Sequence, residues 1–285
     1  MRTHFVNLYQ YFGLEKPEFG VGEVSCLALG TPRAVSPCRR RPAVLVVPGG
    51  GYGHVSDREA ECVALRFVAK GWAAFVLRYA VAPARYPVAL REAAYAMRYI
   101  RENADAFEVD PHMVAATGFS AGGHLCGCLG TLWDAPELSD VGMPEQLRPD
   151  ALGLCYPVCV SHGRTHDGSF LCLCAEDMAL RERLSLEKLA RPDMPPVFLW
   201  HTRDDATVPC RGTLLLASAL EEAGVDFSLH LYRQGVHGLS TADAMAYCAD
   251  RVPQVSRDVP GWVELEIAFF EDTGLKIQDF VEDIR

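Results

Sequence analysis

Residues 114–124 read Val-Ala-Ala-Thr-Gly-Phe-Ser-Ala-Gly-Gly-His. A short apolar run leads into the pentapeptide Gly118-Phe-Ser-Ala-Gly122, and small residues continue beyond it to Leu132. That pattern spells strand, tight turn, helix. The flanking glycines let the backbone turn sharply enough to lift the Ser120 hydroxyl clear of the strand end. A helix opening at Ala121 aims its first N–H groups toward any anion formed at the same point. A GxSxG pentapeptide alone is a weak signal. Between a strand at 114–117 and a helix at 121–132 it reads as a nucleophile elbow.

The same alternation extends outward. Upstream, residues 41–48 form a solidly apolar run ended by proline and three glycines, suited to a strand buried on both faces. Ser56-Asp-Arg-Glu59 has the form of a capping box before a helix that ends near Gly71. Residues 73–77 form the next strand, and Pro87 opens a helix to about Ala106. Residues 23–29 are an early strand. Downstream, 151–156, 197–201 and 227–232 read as strands, and 212–223 and 262–273 as helices. The expected architecture is therefore α/β, a mostly parallel central sheet with helices on both faces. One domain over residues 1–285 is the simplest reading, with a core at about 40–240. Residues 134–149 and 158–196 are less regular and are expected to form surface or lid segments.

A serine hydroxyl needs a base, and the base needs an orienting acid. His237, in Gly-Val-His-Gly after the last strand, is the expected base. The other eight histidines fall on surfaces, strands, loops or the helix after the elbow. The acid should follow the strand at 197–201, where Asp204 and Asp205 stand side by side. Either of them also suits a turn or helix N-cap. The chain order serine, aspartate, histidine differs from the orders found in chymotrypsin and subtilisin. After the strand at 41–47, Pro48-Gly-Gly-Gly-Tyr-Gly53 leaves backbone N–H groups unshielded. The loop lacks the GK[ST] and GxGxxG patterns of phosphate loops. Gly50, Gly51 and Ala121 are the expected oxyanion donors, with the Tyr52 N–H as a further candidate.

Together PGGGY, GFSAGGH, DxxVP and GxHG resemble α/β-hydrolase esterases of the acetyl-esterase and acetylxylan-esterase-like kind. The similarity covers about residues 40–240 and extends to 77–83, Tyr86-Pro87 and 154–157. It favours Asp205 as the acid, because Asp-x-x-Val-Pro suits the triad loop of that family. It implies a Ser-His-Asp acyl-enzyme mechanism on short acyl esters, acetylated sugars or oligosaccharides among them, without metal or cofactor. Pro48 stands where the related lipase-like pattern has histidine. Tyr52, Tyr156 and His166, with Trp133 and Phe170, are the expected pocket walls. The polar stretch 161–166 is a candidate for binding sugar hydroxyls.

Composition narrows the alternatives. Lys+Arg 27 against Asp+Glu 37 gives a net charge of -10, which opposes phosphate backbones and anionic lipid. No nucleic-acid or membrane partner is expected, only a small-molecule ester substrate. Eleven cysteines include no CxxC pair and read as small buried hydrophobes in a reducing cell. The N-terminus has no apolar stretch of signal-peptide length, so the expected location is cytoplasmic. A peptidase or amidase of the same fold is one rival. Only 47 residues precede Pro48, too few for the propeller of prolyl-oligopeptidase-type enzymes. A non-catalytic binding protein on a hydrolase fold is the other, and such proteins usually lack a triad member.

Overall fold

The computed structural model describes residues 2–30, 40–246, 256 and 259–277. Cys38 and Cys248 lie outside these residues. Eight strands form one sheet: β1 Arg2–Asn7, β2 Glu23–Ala28, β3 Arg41–Val47, β4 Ala73–Arg78, β5 Val109–Phe119, β6 Ala151–Cys155, β7 Val197–Thr202 and β8 Phe227–Tyr232. Their spatial order is β1-β2-β4-β3-β5-β6-β7-β8. All pairs from β4 to β8 are parallel, and β1/β2 and β2/β4 are antiparallel. The α/β expectation holds. β1 has no counterpart in the sequence reading, because Arg-Thr-His-Phe-Val-Asn lacks a clean alternation and Phe5 is exposed at the sheet edge.

β3 shows how sequence parity builds the two layers. Every residue from Arg41 to Val47 is buried. Ala43, Leu45 and Val47 point into a core shared with helices Val88–Glu102, Ala121–Leu132 and Arg211–Glu222. Val44 and Val46 point into the opposite core, against Glu61–Ala69 and Trp262–Asp272. A strand covered on both faces needs no polar alternation, which is why this run is continuously apolar. The segment 158–196 folds into the short helices Asp167–Cys174, Met178–Arg183 and Leu186–Leu189. These bury Phe170, Leu173, Leu184 and Leu186 in the first core.

The capping box is a correction. Ser56 makes no capping hydrogen bond, and the helix starts later, at Glu61. Glu59 instead turns inward, where two donors from distant segments meet its carboxylate. Those bonds outweigh a local reciprocal cap.

A second buried carboxylate lies on the far core. Glu266 accepts from Thr117 Oγ1 at 2.9 Å through one oxygen, and its other oxygen has no partner among the described residues. Burial pushes its pKa from 4.5 to about 8. The folded protein thus holds a proton that the unfolded chain releases, so Glu266 disfavours folding progressively between those two values. The cost is about 1.4 kcal/mol per pH unit. Glu266→Gln, which has no proton to lose, should therefore melt increasingly above the native protein as pH rises from 5 to 8. A constant gap in melting temperature across that range would show that Glu266 titrates normally.

Candidate active site

At the C-terminal end of β5 the chain turns through Ser120, with φ 53 and ψ -117, into the helix Ala121–Leu132. That turn places two chain segments almost in contact. A Cβ on Gly118 would lie 2.2 Å from Gly122 O, and one on Gly122 would lie 2.1 Å from Val47 O. Both glycines of the pentapeptide are therefore steric requirements. Backbone bonds Ser120 N→Cys155 O at 3.0 Å and Val158 N→Ser120 O at 3.1 Å hold the turn against the end of β6.

Ser120 Oγ stands 2.9 Å from His237 Nε2, and His237 Nδ1 stands 2.6 Å from Asp205 Oδ2. The three residues come from the ends of β5, β7 and β8, which the parallel sheet brings to one edge. Asp205 is buried, and its Oδ1 accepts from Thr207 N at 2.9 Å and Val208 N at 2.8 Å. Its Oδ2 also lies 3.3 Å from His201 Nε2. Burial pushes the Asp205 pKa up, but hydrogen bonds from His201 and His237, the His237 charge and the Val208 N–H outweigh it, holding the carboxyl well below the usual range. Asp204 points outward and pairs with Arg203 at 2.7 Å. The geometry thus separates two neighbours that the residues alone left equivalent.

Gly49 to Gly51 wrap over the elbow. The Gly49 N–H donates to Glu59 Oε2 at 2.8 Å and is thereby spent. Among the described residues, the N–H groups of Gly50, Gly51 and Ala121 have no acceptor. Gly50 has φ +123, and a Cβ there would lie 2.0 Å from His54 O, so no other residue fits. The neighbouring pocket holds about 200 Å3, lined by Gly50, Gly51, His54, Ser56, Arg58, Glu59, Ser120, His166, Thr207, His237 and Gly238. A larger cavity of about 430 Å3 lies at the opposite sheet edge, around His4, Cys26 and Phe107, away from the serine.

Of the expected wall residues, His166 alone lines this pocket. Its Nδ1 accepts from Ser169 N at 3.2 Å, so the neutral ring carries its proton on Nε2. Burial, then the neighbouring His237 charge, lower its pKa. Tyr52 and Tyr156 lie behind the wall and are corrected. Tyr52 OH donates to His124 Nδ1 at 2.8 Å, while His124 Nε2 bonds Leu184 O at 2.8 Å. Burial pushes the His124 pKa down to about 4, so this buried link is neutral. Tyr156 OH donates to Glu59 Oε1. Phe170 is core, and Trp133 stacks under Arg191.

From the sequence, His54 is a loop residue that could line a pocket, which it does. Ser56, Arg58 and Glu59 read there only as a capping box, and Thr207 and His201 gain their place through Asp205, which the fold turns inward.

A family model described as BD-FAE matches residues 34–146. Endo-1,4-beta-xylanase B of Butyrivibrio fibrisolvens is 34% identical over 215 residues, 72% of this chain and 33% of that protein. Acetylxylan esterase of Xylanibacter ruminicola is 27% identical over 230 residues, 78% of this chain and 45% of that protein. The chain thus spans less than half the length of these curated relatives. The crystal structure of the acetyl ester-xyloside bifunctional hydrolase from Caldicellulosiruptor lactoaceticus superimposes with a TM-score of 0.81 at 32% identity, covering 96% of this chain and 97% of that one. No helix among the described residues is long and apolar enough to cross a membrane. With a parallel sheet, a serine elbow and a relative matched over nearly its whole length, the chain belongs to the α/β-hydrolase superfamily, among its esterases.

Proposed function

We propose that the protein is a serine esterase that removes short acyl groups, acetyl above all, from sugars or oligosaccharides. The observation that carries the reading is the hydrogen-bonded chain Ser120–His237–Asp205 beside three backbone N–H groups that have no acceptor among the described residues. Ser120 Oγ attacks the ester carbonyl while His237 Nε2 takes its proton. Asp205 holds Nδ1–H and stabilises the imidazolium. Gly50, Gly51 and Ala121 N–H groups meet the oxygen as it becomes negative. His237 then protonates the leaving alcohol and activates water to release the acid.

The pocket supports the substrate class. Among the described residues its walls are glycine, serine, threonine, histidine, arginine and glutamate, with no aliphatic or aromatic hydrocarbon side chain. A volume of about 200 Å3 leaves little room for a long acyl tail. The hydroxyl and imidazole groups of Ser56, Thr207, His54 and His166 suit a hydroxyl-rich alcohol, and the His166 Nε2–H is a ready donor to it. The names of the acetylxylan esterase and the acetyl ester-xyloside hydrolase agree with this reading.

Turnover should be highest with acetyl and propionyl esters and fall steeply by about eight carbons. Faster cleavage of an octanoyl ester than of the acetyl ester rejects the short-acyl reading. Peracetylated xylo-oligosaccharides should release acetate faster than an alkyl acetate of similar reactivity. Equal rates would remove the carbohydrate claim and leave the esterase. Turnover of aminoacyl anilides in place of esters would favour the amidase alternative.

A further inference from the structure

Beneath the serine pocket lies a buried chain of hydrogen bonds that touches both halves of the site. The Gly49 N–H donates to Glu59 Oε2 at 2.8 Å, and the Tyr156 hydroxyl donates to Glu59 Oε1 at 2.7 Å. The same hydroxyl accepts from Ser240 N at 2.9 Å, three residues beyond His237. Glu59 and Tyr156 are 3% and 2% exposed. Gly49 is pressed on the elbow so closely that a Cβ there would lie 2.9 Å from Ser120 Cβ. At the other end, the Tyr156 and His237 rings meet edge to face at 5.2 Å. The Arg58 guanidinium also donates to Gly238 O, and Ser240 Oγ donates to Arg58 O.

We propose that Glu59 is a positioning residue that ties the glycine loop carrying Gly50 and Gly51 to the loop carrying His237, with Tyr156 as the link. The proposal rests on the serine-esterase reading and deepens it. Oxyanion donors act only if they stand at about hydrogen-bond distance from the developing charge, and the base only if it meets Ser120. These two demands fall on loops nearly two hundred residues apart in sequence, and neither loop is anchored by a regular element at its tip. Glu59 meets the glycine loop with Oε2 and reaches the His237 loop through Tyr156 with Oε1. A buried carboxylate is costly unless both oxygens are bonded, and here both bonds are charge-assisted. Glutamine supplies one acceptor, which the Gly49 N–H claims, so its NH2 meets the Tyr156 hydroxyl and leaves that hydroxyl's proton without its acceptor. Alanine supplies none, and a misplacement of about 1 Å in such a site costs on the order of 10²-fold in rate.

The test measures kcat and KM for a short-chain aryl ester with Glu59→Gln, Glu59→Ala, Tyr156→Phe and the double variant Glu59→Ala/Tyr156→Phe, each with its melting temperature. Glu59→Ala should lower kcat about 100-fold with KM within about threefold. Glu59→Gln should recover roughly a tenth of native kcat, and Tyr156→Phe should lose about tenfold. The double variant should be within about threefold of Glu59→Ala, since one broken relay cannot be broken again. Glutamine and phenylalanine variants that turn over within about twofold of the native rate overturn the proposal, even if Glu59→Ala does not fold. So do losses that appear only in KM or melting temperature, or that multiply in the double variant. A native protein without ester turnover, or with turnover unchanged in Ser120→Ala, overturns the serine-esterase reading itself.

Discussion

Ser120→Ala is expected to lower kcat for short esters by about 10⁵–10⁶-fold, leaving a slow residue from the oxyanion donors and binding alone. The loss is large because attack on the acyl carbon has one route, through the hydroxyl that stands 2.9 Å from His237 Nε2. The fold should survive. Alanine removes one oxygen, which bonds His237, and the backbone bonds of the turn remain. The unusual φ of 53 at this position is no worse for alanine than for serine. A fluorophosphonate should label the native protein on Ser120 and leave the variant unlabelled, read by peptide mass. Labelling at another serine, or native turnover in the variant, would sink the assignment of the nucleophile.

The second large effect concerns the acid. Asp205→Asn should lower kcat by about 10⁴-fold, the size seen when the histidine of such a triad is held in the wrong tautomer. Thr207 N and Val208 N, both obligatory donors, bond Oδ1. In the asparagine variant they would fix the amide oxygen on their side, so the NH2 must face His237 Nδ1. That nitrogen would then have to accept, its proton would move to Nε2, and Ser120 would lose its base. The NH2 would also face His201 Nε2, which donates to Val208 O. Asp204→Asn should change the rate by less than about threefold, because an exposed pair with Arg203 is worth little. Reversal of that ranking would mean that the other carboxylate orients the base.

Much of this architecture is written locally. The apolar run at 41–47 specifies a strand covered on both faces. Gly118 and Gly122 specify a turn in which no Cβ fits. From these the strand–elbow–helix unit follows, and with it the serine at the sheet's C-terminal edge. His237, isolated on a glycine-flanked loop after the last strand, was legible for the same reason: few other roles suit a histidine there. The antiparallel β1 was not legible, because an edge strand with exposed side chains carries little hydrophobic pattern.

What the sequence by itself determined was the layered α/β order and the elbow; Ser120, Asp205 or Asp204, and His237 it named as candidates. Each rests on steric or hydrophobic demands that act within a few residues of the chain. Tertiary structure alone decided which aspartate turns inward, that Tyr52 and Tyr156 stand behind the pocket, and that Glu59 serves the site in place of a helix cap. Those choices depend on donors and acceptors that meet only after folding. Glu59 and Tyr156 are 97 positions apart, and Tyr156 and Ser240 are 84 apart. A side chain with several local options takes the one whose partners are buried with it, because an unmet polar group costs most where water cannot reach.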